Sequence, residues 1–309
     1  MAKREYFNVT VIGAGAVGSA IAKQFQARGH TIVGVINRRL SSTRRSAAAL
    51  KTKALPYHLK DIPPTTNLLI ISTPDSAIPT LAALVATRSP LNFEKLTAFH
   101  TSGAVTSDSL MPLRLLGSTV FSLHPIQIFP RRASLKSRVM SLRKIFYGIE
   151  GDAPALRTAM MLVSELGGSY IVVPAERKAL YHVACVFASN YLVVLMNLLL
   201  EVSLGLGINR KEFYRVFEPL ITTTLDHVRR ASPREALTGP IERGDIPTIR
   251  IHVEHLESLN PTLLSTYSSL GSSAVQLAMK KKSLNEVTAR DLLKIFETAL
   301  LKSVGKSRF

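Results

Sequence analysis

Six residues near the start of the chain, Gly13-Ala14-Gly15-Ala16-Val17-Gly18, constrain the fold more than any other feature. They follow Tyr6–Ile12, a run of β-branched and aromatic residues that reads as a strand, and they lead into a helical pattern ending near Gly29. The glycine spacing gives this order its meaning. Gly13 lets the chain turn, Gly15 lets the backbone approach a pyrophosphate, and Gly18 lets the helix pack close to the strand. The phosphates then rest on the unpaired amides at the positive end of the helix dipole. All six residues are expected to cradle a dinucleotide.

A second strand follows on schedule at Thr31–Ile36, then a helix near Ser41–Lys51. Short apolar runs at Asn67–Ser72, Leu96–His100, Val120–Leu123 and Ile145–Ile149 continue the series, with helical intervals at Ser76–Arg88 and around Ser107–Leu116. Strands alternating with helices predict a parallel, doubly wound sheet of Rossmann type. One further helix (Ala155–Leu166) and one short strand (Ser169–Val173) close this part. From Pro174 the reading is helical almost to the end, starting with about thirty residues to the Gly205-Leu206-Gly207 stop, with breaks at Pro233, Gly239-Pro240, Pro247 and Pro261 and a last helix near Asn285–Lys302. The expected architecture is therefore α/β: a dinucleotide-binding domain over 1–173, then an all-helical substrate and dimerisation domain over 174–309.

The end of the second strand selects the dinucleotide. A free ribose 2′-hydroxyl wants a carboxylate there, and the chain offers Asn37-Arg38-Arg39 followed by Arg44. Guanidinium groups grip phosphate with paired, charge-assisted hydrogen bonds, so NADPH/NADP is the expected cofactor. Thr73 and Pro74, at the end of a later strand, are expected to line its nicotinamide half, and Asp75 either to cap the next helix or to contact the cofactor.

Charge and composition narrow the partners. The chain of 309 residues carries a formal charge of +18. Residues 1–150 hold 20 Lys/Arg against 6 Asp/Glu, while residues 151–309 hold 19 against 15. The basic residues are scattered pairs without interleaved aromatics, which argues against nucleic acid and for a small anionic substrate. One cysteine, Cys185, cannot close an intrachain disulfide or alone hold a zinc, so no metal is expected and a cytoplasmic setting is the simplest. Met1–Glu5 runs into the first strand without a signal-peptide pattern. Val183–Leu200 has membrane-like length, but Ser189, Asn190 and Asn197 interrupt it, so it is read as a buried helix that two subunits share in a homodimer.

Strand ends later in the series carry small or polar donors, including Ser102 and Gly103 after one strand and His124 after another. In the long helix Lys178 and His182 are four residues apart and share a face. Reduction of a carbonyl leaves an alkoxide that needs a proton and a nearby positive charge, which makes this pair the catalytic candidate. Asn190 and Asn197 form another stripe, suited to hydrogen bonds at a subunit interface, and Asn190 is also a candidate substrate contact.

Five blocks carry a family resemblance: GAGAVG at 13–18, HTSGA at 100–104, LHPIQ at 123–127, YHVACVFASNYL at 181–192 and LTGPIERGD at 237–245. On these the chain resembles the Rossmann-like proteins with a C-terminal DUF2520 domain. They fall within the superfamily of 6-phosphogluconate dehydrogenase, ketopantoate reductase and pyrroline-5-carboxylate reductase. The resemblance implies that Ser102-Gly103 is the substrate loop, that Lys178 is the catalytic lysine, and that Thr238 and Arg243 clamp a substrate carboxylate. His182 stands where relatives have asparagine, which leaves open whether it orients substrate or transfers a proton. The implied activity is NADPH-dependent reduction of 2-dehydropantoate to pantoate, towards coenzyme A. The alternatives are imine reduction like that of pyrroline-5-carboxylate reductase and a regulatory protein that binds NADPH without turnover.

Overall fold

The computed structural model describes residues 6–130 and 132–306. It divides into two compact units, residues 1–192 and 193–309. This division falls at Leu192/Val193, beyond the Val173/Pro174 boundary expected from the sequence, because the helix that begins at Lys178 stays with the sheet.

The first unit is built on a seven-stranded sheet of β1 (Asn8–Ile12), β2 (Thr31–Ile36), β3 (Leu68–Ile71), β4 (Thr97–His100), β5 (Thr119–Pro125), β6 (Phe146–Gly151) and β7 (Ser169–Val172), in the order β2-β1-β3-β4-β5-β6-β7. Helices α1 (Ala16–Ala27), α2 (Leu40–Leu50), α3 (Ile78–Arg88), α4 (Met111–Arg114), α5 (Leu135–Met140), α6 (Ala153–Leu166) and α7 (Lys178–Val186) complete it. Strands covered on both faces read as unbroken apolar runs, and Leu68-Leu69-Ile70-Ile71 is fully buried. Alternate residues serve opposite layers. Leu68 and Ile70 join Ala20, Phe25, Leu162 and Leu166 of α1 and α6, while Leu69 and Ile71 join Ile78, Leu81 and Val85 of α3.

β1 lies between β2 and β3, so the chain changes direction across the sheet there, and the carboxyl ends of β1 and β3 open a crevice. One expectation needs correction. β6 runs antiparallel to β5, pairing Leu123 with Ile149 and His124 with Gly148, whereas β7 is parallel to β6. The β5–β6 connection holds only the six-residue α5, packed against α1, and does not return the chain for a parallel partner.

The second unit comprises α8 (Leu192–Gly205), α9 (Arg210–Arg230), α10 (Pro233–Ala236), α11 (Ile246–Leu259), α12 (Pro261–Lys281) and α13 (Glu286–Lys306). Pro233, Pro247 and Pro261 occupy first turns, where a missing N–H costs nothing, behind caps from Ser232, Asp245 and Asn260. Its core joins Ile249, Leu264, Val275, Leu292 and Phe296. The helical run Ala175–Gly205 is long and apolar enough to cross a membrane by length and composition, and its apolar window is unburied within the chain. The sequence expectation of a buried helix is therefore corrected for the single chain. Leu180, Val183, Phe187, Tyr191 and Val194 recur at helical spacing and are exposed.

Candidate active site

The crevice at the ends of β1 and β3 is a cleft of about 1010 Å³. Gly13 adopts φ +88°, and a Cβ there would lie 2.5 Å from the Ser72 carbonyl oxygen. At Gly18 a Cβ would lie 2.6 Å from the Gly13 oxygen, so this glycine lets α1 approach the turn. Gly15 differs, because the nearest atom to its Cβ would be 4.0 Å away and the residue is exposed. Its missing side chain keeps open the space in front of the α1 amides.

Two buried polar atoms on the walls of this cleft, Asn37 Nδ2 and Thr73 Oγ1, have no hydrogen-bond partner. Unpaired buried groups are costly, and here they mark where a polar ligand fits. Arg38, Arg39, Arg45 and Arg138 line the cleft, and no Asp or Glu is among its lining residues. Ser42, Arg45, Ser46 and Ala49 of α2 face it at three- and four-residue spacing, which turns Arg44 away. Arg44 is thus replaced by Arg45 as the third arginine of this wall.

A polar cluster adjoins the cleft along β4, β5, β6 and α7. Thr101 Oγ1 donates to Ser72 Oγ at 3.0 Å, tying the β4 end to the cleft wall. Lys178, the first residue of α7, is 1 % exposed. Its Nζ donates to Ser122 Oγ and to Glu150 Oε2, the latter at 3.3 Å. Glu150 also accepts from Ser107 N and Ser107 Oγ, both at 2.8 Å. Burial pushes the Lys178 ammonium below its ordinary pKa, opposed by the Glu150 carboxylate.

Above this pair, His124 Nδ1 and the Tyr181 hydroxyl are 2.6 Å apart, and the His124 and His182 ring centroids are 6.3 Å apart. Gly103 fits between the two histidines, for a Cβ there would lie 2.9 Å from both. Gly148 likewise admits the Tyr181 hydroxyl. Burial first, then the neighbouring His182 and Lys178 charges, lowers His124 to about 4, so its ring is neutral at pH 7. Burial similarly lowers His100 to about 4, and its Nδ1 accepts from Ser102 N at 3.2 Å. The cluster thus presents the neutral imidazoles of His124 and His100 beside a buried, paired ammonium. Among the described residues no three His, Cys, Asp or Glu side chains are placed to hold a metal ion.

Residues 2–125 match the Rossmann-like domain, and residues 145–274 match DUF2520, a domain of unknown function. The chain joins a Rossmann-like domain to a DUF2520 domain. No curated protein matches it. Among solved structures, it is similar to BF3122 of Bacteroides fragilis, provisionally named an NADP oxidoreductase, with TM-score 0.70 and 23% identity over 87% of this chain and 98% of that one. It is similar to TM1727 of Thermotoga maritima, with TM-score 0.65 and 22% identity over 89% and 99%. An imine reductase of Myxococcus stipitatus in complex with NADP+ matches with TM-score 0.59 and 16% identity over 95% and 94%. At these identities the likeness establishes the fold.

In the Rossmann-like domain, Gly13, Ala14, Gly15, Ala16, Asn37, Arg38, Arg39, Thr73 and Pro74 line the cleft, whereas Val17 packs into the core and Gly18 sits behind the turn. Gly103 and His124 meet Tyr181 and His182 of the DUF2520 domain, Lys178 of that domain meets Ser122, and Ser102 bonds within its own loop, to His100, Ala104 and Val105. Asn190 is exposed two turns beyond His182, in a π-helical turn over Phe187–Tyr191. Thr238 and Arg243 are exposed on the segment between α10 and α11 of the second unit. Sequence reasoning missed Glu150, Tyr181, Gly148 and Arg138. Only Glu150 left a signal, as a lone carboxylate in an otherwise apolar strand.

Proposed function

We propose that the chain is an NADPH-dependent reductase of a small, carboxylate-bearing carbonyl compound, with 2-dehydropantoate the leading substrate. The observation that carries the cofactor reading is the cleft that combines an open Gly15, orphaned Asn37 and Thr73 atoms, and four guanidiniums without a carboxylate. Gly13–Ala16 would hold the pyrophosphate, Arg38, Arg39 and Arg45 the 2′-phosphate, and Thr73 and Pro74 the nicotinamide half.

A bound nicotinamide supplies a hydride to the unsaturated carbon of the substrate. The chain's own residues handle the proton. His182, partly exposed beside Gly103, would deliver a proton to the substrate heteroatom. His124 pairs with the Tyr181 hydroxyl through Nδ1, which leaves its Nε2 to orient that same atom. Lys178 is buried against Ser122 and Glu150, which supports a positioning and electrostatic role beneath the histidines rather than contact with substrate. Ser102 Oγ accepts from Ala104 N and Val105 N, each at 3.1 Å, and so shapes the loop around Gly103.

Imine reduction is the second reading, supported by the likeness to the Myxococcus stipitatus imine reductase and to an Aspergillus terreus reductive aminase solved with NADPH and ethyl-5-oxohexanoate. Parallel assays of NADPH oxidation with 2-dehydropantoate and with pyrroline-5-carboxylate separate the two. Turnover of the keto acid alone supports the first reading and turnover of the imine alone the second. Turnover of neither, with NADPH bound, supports a regulatory protein.

The helix Ala175–Gly205 is assigned to a homodimer interface. The exposed amide of Asn190 and the Asn197–Glu201 pair within this run suit a protein partner and oppose a lipid one.

A further inference from the structure

One arginine of the cleft does not come from the βαβ unit that supplies the others. Arg138 lies on α5, in the connection between β5 and β6, and it lines the cleft on the wall formed by Ser19 and the glycine turn. Its position is fixed by packing. Leu142 is fully buried, and Phe129, Val139 and Ile145 pack against the core that includes α1. Ser134 caps α5 by accepting from Ser137 N at 3.1 Å.

The guanidinium is held but not neutralised. Its Nε donates to the Ala133 carbonyl oxygen at 3.1 Å, and its Nη1 reaches Ser19 Oγ at 3.5 Å, on the first turn of α1. Arg138 takes part in none of the ion pairs among the described residues. Three of its five N–H groups remain for a ligand, and the Ser19 contact is long enough to yield to a better acceptor. Ser19 in turn bonds to the Gly15 carbonyl through both its amide and its hydroxyl, which places this cation beside the amides of the glycine turn.

We infer that Arg138 is a pyrophosphate clamp, a guanidinium that reaches over the α1 amides from the β5–β6 connection and binds the diphosphate bridge of the dinucleotide. This rests on the cofactor reading above and adds a division of labour to it. Arg38, Arg39 and Arg45 sit at the β2 end and sense the 2′-phosphate, whereas Arg138 senses the bridge that NADPH and NADH share. The diphosphate would then be held by backbone N–H groups of the glycine turn together with the planar guanidinium fork.

The test measures dissociation constants of NADPH and NADH by nicotinamide fluorescence for the wild-type chain and for Arg138→Ala, Arg138→Lys and Arg38→Ala, with far-UV circular dichroism to check folding. Arg138→Ala is expected to weaken both nucleotides by the same factor, about tenfold. Arg138→Lys, which keeps the charge without the fork, should weaken both by a smaller common factor, and Arg38→Ala should weaken NADPH alone. Folded Arg138 variants with unchanged affinities, or with loss confined to NADPH, would overturn the clamp while leaving the cofactor reading in place. A wild-type chain that bound neither nucleotide would overturn the cofactor reading, and the clamp with it.

Discussion

The buried pair of Lys178 and Glu150 makes the roles of stability and catalysis separable. The two side chains are 2 % and 5 % exposed, so replacing Lys178 with methionine strands a carboxylate away from water. Breaking such a pair costs about 3–5 kcal/mol, whereas replacing both partners is close to neutral. Glu150 keeps its two bonds from Ser107, which places Lys178→Met at the lower end, about 3 kcal/mol. For a domain of this size that lowers the melting temperature by roughly 6–12 °C. Adding Glu150→Gln removes the stranded charge, keeps an acceptor for Ser107 N, and should restore most of the loss. Urea denaturation of the wild type, both single variants and the double variant closes the cycle. Turnover of the double variant then reads the role of Lys178. Restored stability with turnover reduced about tenfold fits an ammonium that acts through its field, and a loss of several orders of magnitude fits a direct proton donor. A double variant as unstable as Lys178→Met, or a single variant without cost, would refute the pairing argument.

Three further outcomes follow from the geometry. Gly13→Ala meets the Ser72 carbonyl at 2.5 Å at φ +88° and should destabilise by about 2 kcal/mol or more, whereas Gly15→Ala should melt like the wild type and lose NADPH affinity; thermal melts and titrations compare them. His100 is lowered from 6.5 to about 4, so the unfolded chain takes up the proton first as pH falls. Its contribution of about 3 kcal/mol is complete above pH 6.5 and is lost between 6.5 and 4, so His100→Gln should flatten the acid limb of stability against pH. Light scattering should give twice the chain mass for the wild type and the monomer mass for Leu180→Asp with Phe187→Asp, two residues 68% and 63% exposed in the single chain.

Local sequence carried the turn chemistry well and the long-range pairings poorly. The glycine spacing encoded three different backbone demands: Gly13 makes the turn at positive φ, Gly18 lets α1 pack close to it, and Gly15 leaves open space before the α1 amides. Strand direction was not legible at β6, because Phe146–Gly151 has the same apolar pattern whichever way it runs. Arg45 rather than Arg44 lines the cleft because the register of α2 depends on where the helix starts, at Leu40. On β6, Gly148 and Glu150 share a face by strand alternation, yet their partners Tyr181 and Lys178 arrive only after α6 and β7 have brought the chain back. The apolar run from Val183 was read as a buried helix, but the single chain leaves it exposed, because apolar composition does not say whether a run packs within its own chain. Arg138 lies on a short helix with no motif, and only tertiary packing brings it to the cleft.

The central claim is that the cleft at the ends of β1 and β3 holds a phosphorylated dinucleotide through Gly13–Ala16 and its guanidinium walls. Equilibrium titration of the purified chain with NADPH and NADH, followed by nicotinamide fluorescence, tests it most directly. The account predicts saturable one-site binding of both, with NADPH tighter by about tenfold or more through charge-assisted contacts to the 2′-phosphate. Equal affinity for the two would contradict the assignment of the β2-end arginines, and absence of binding would contradict the account as a whole.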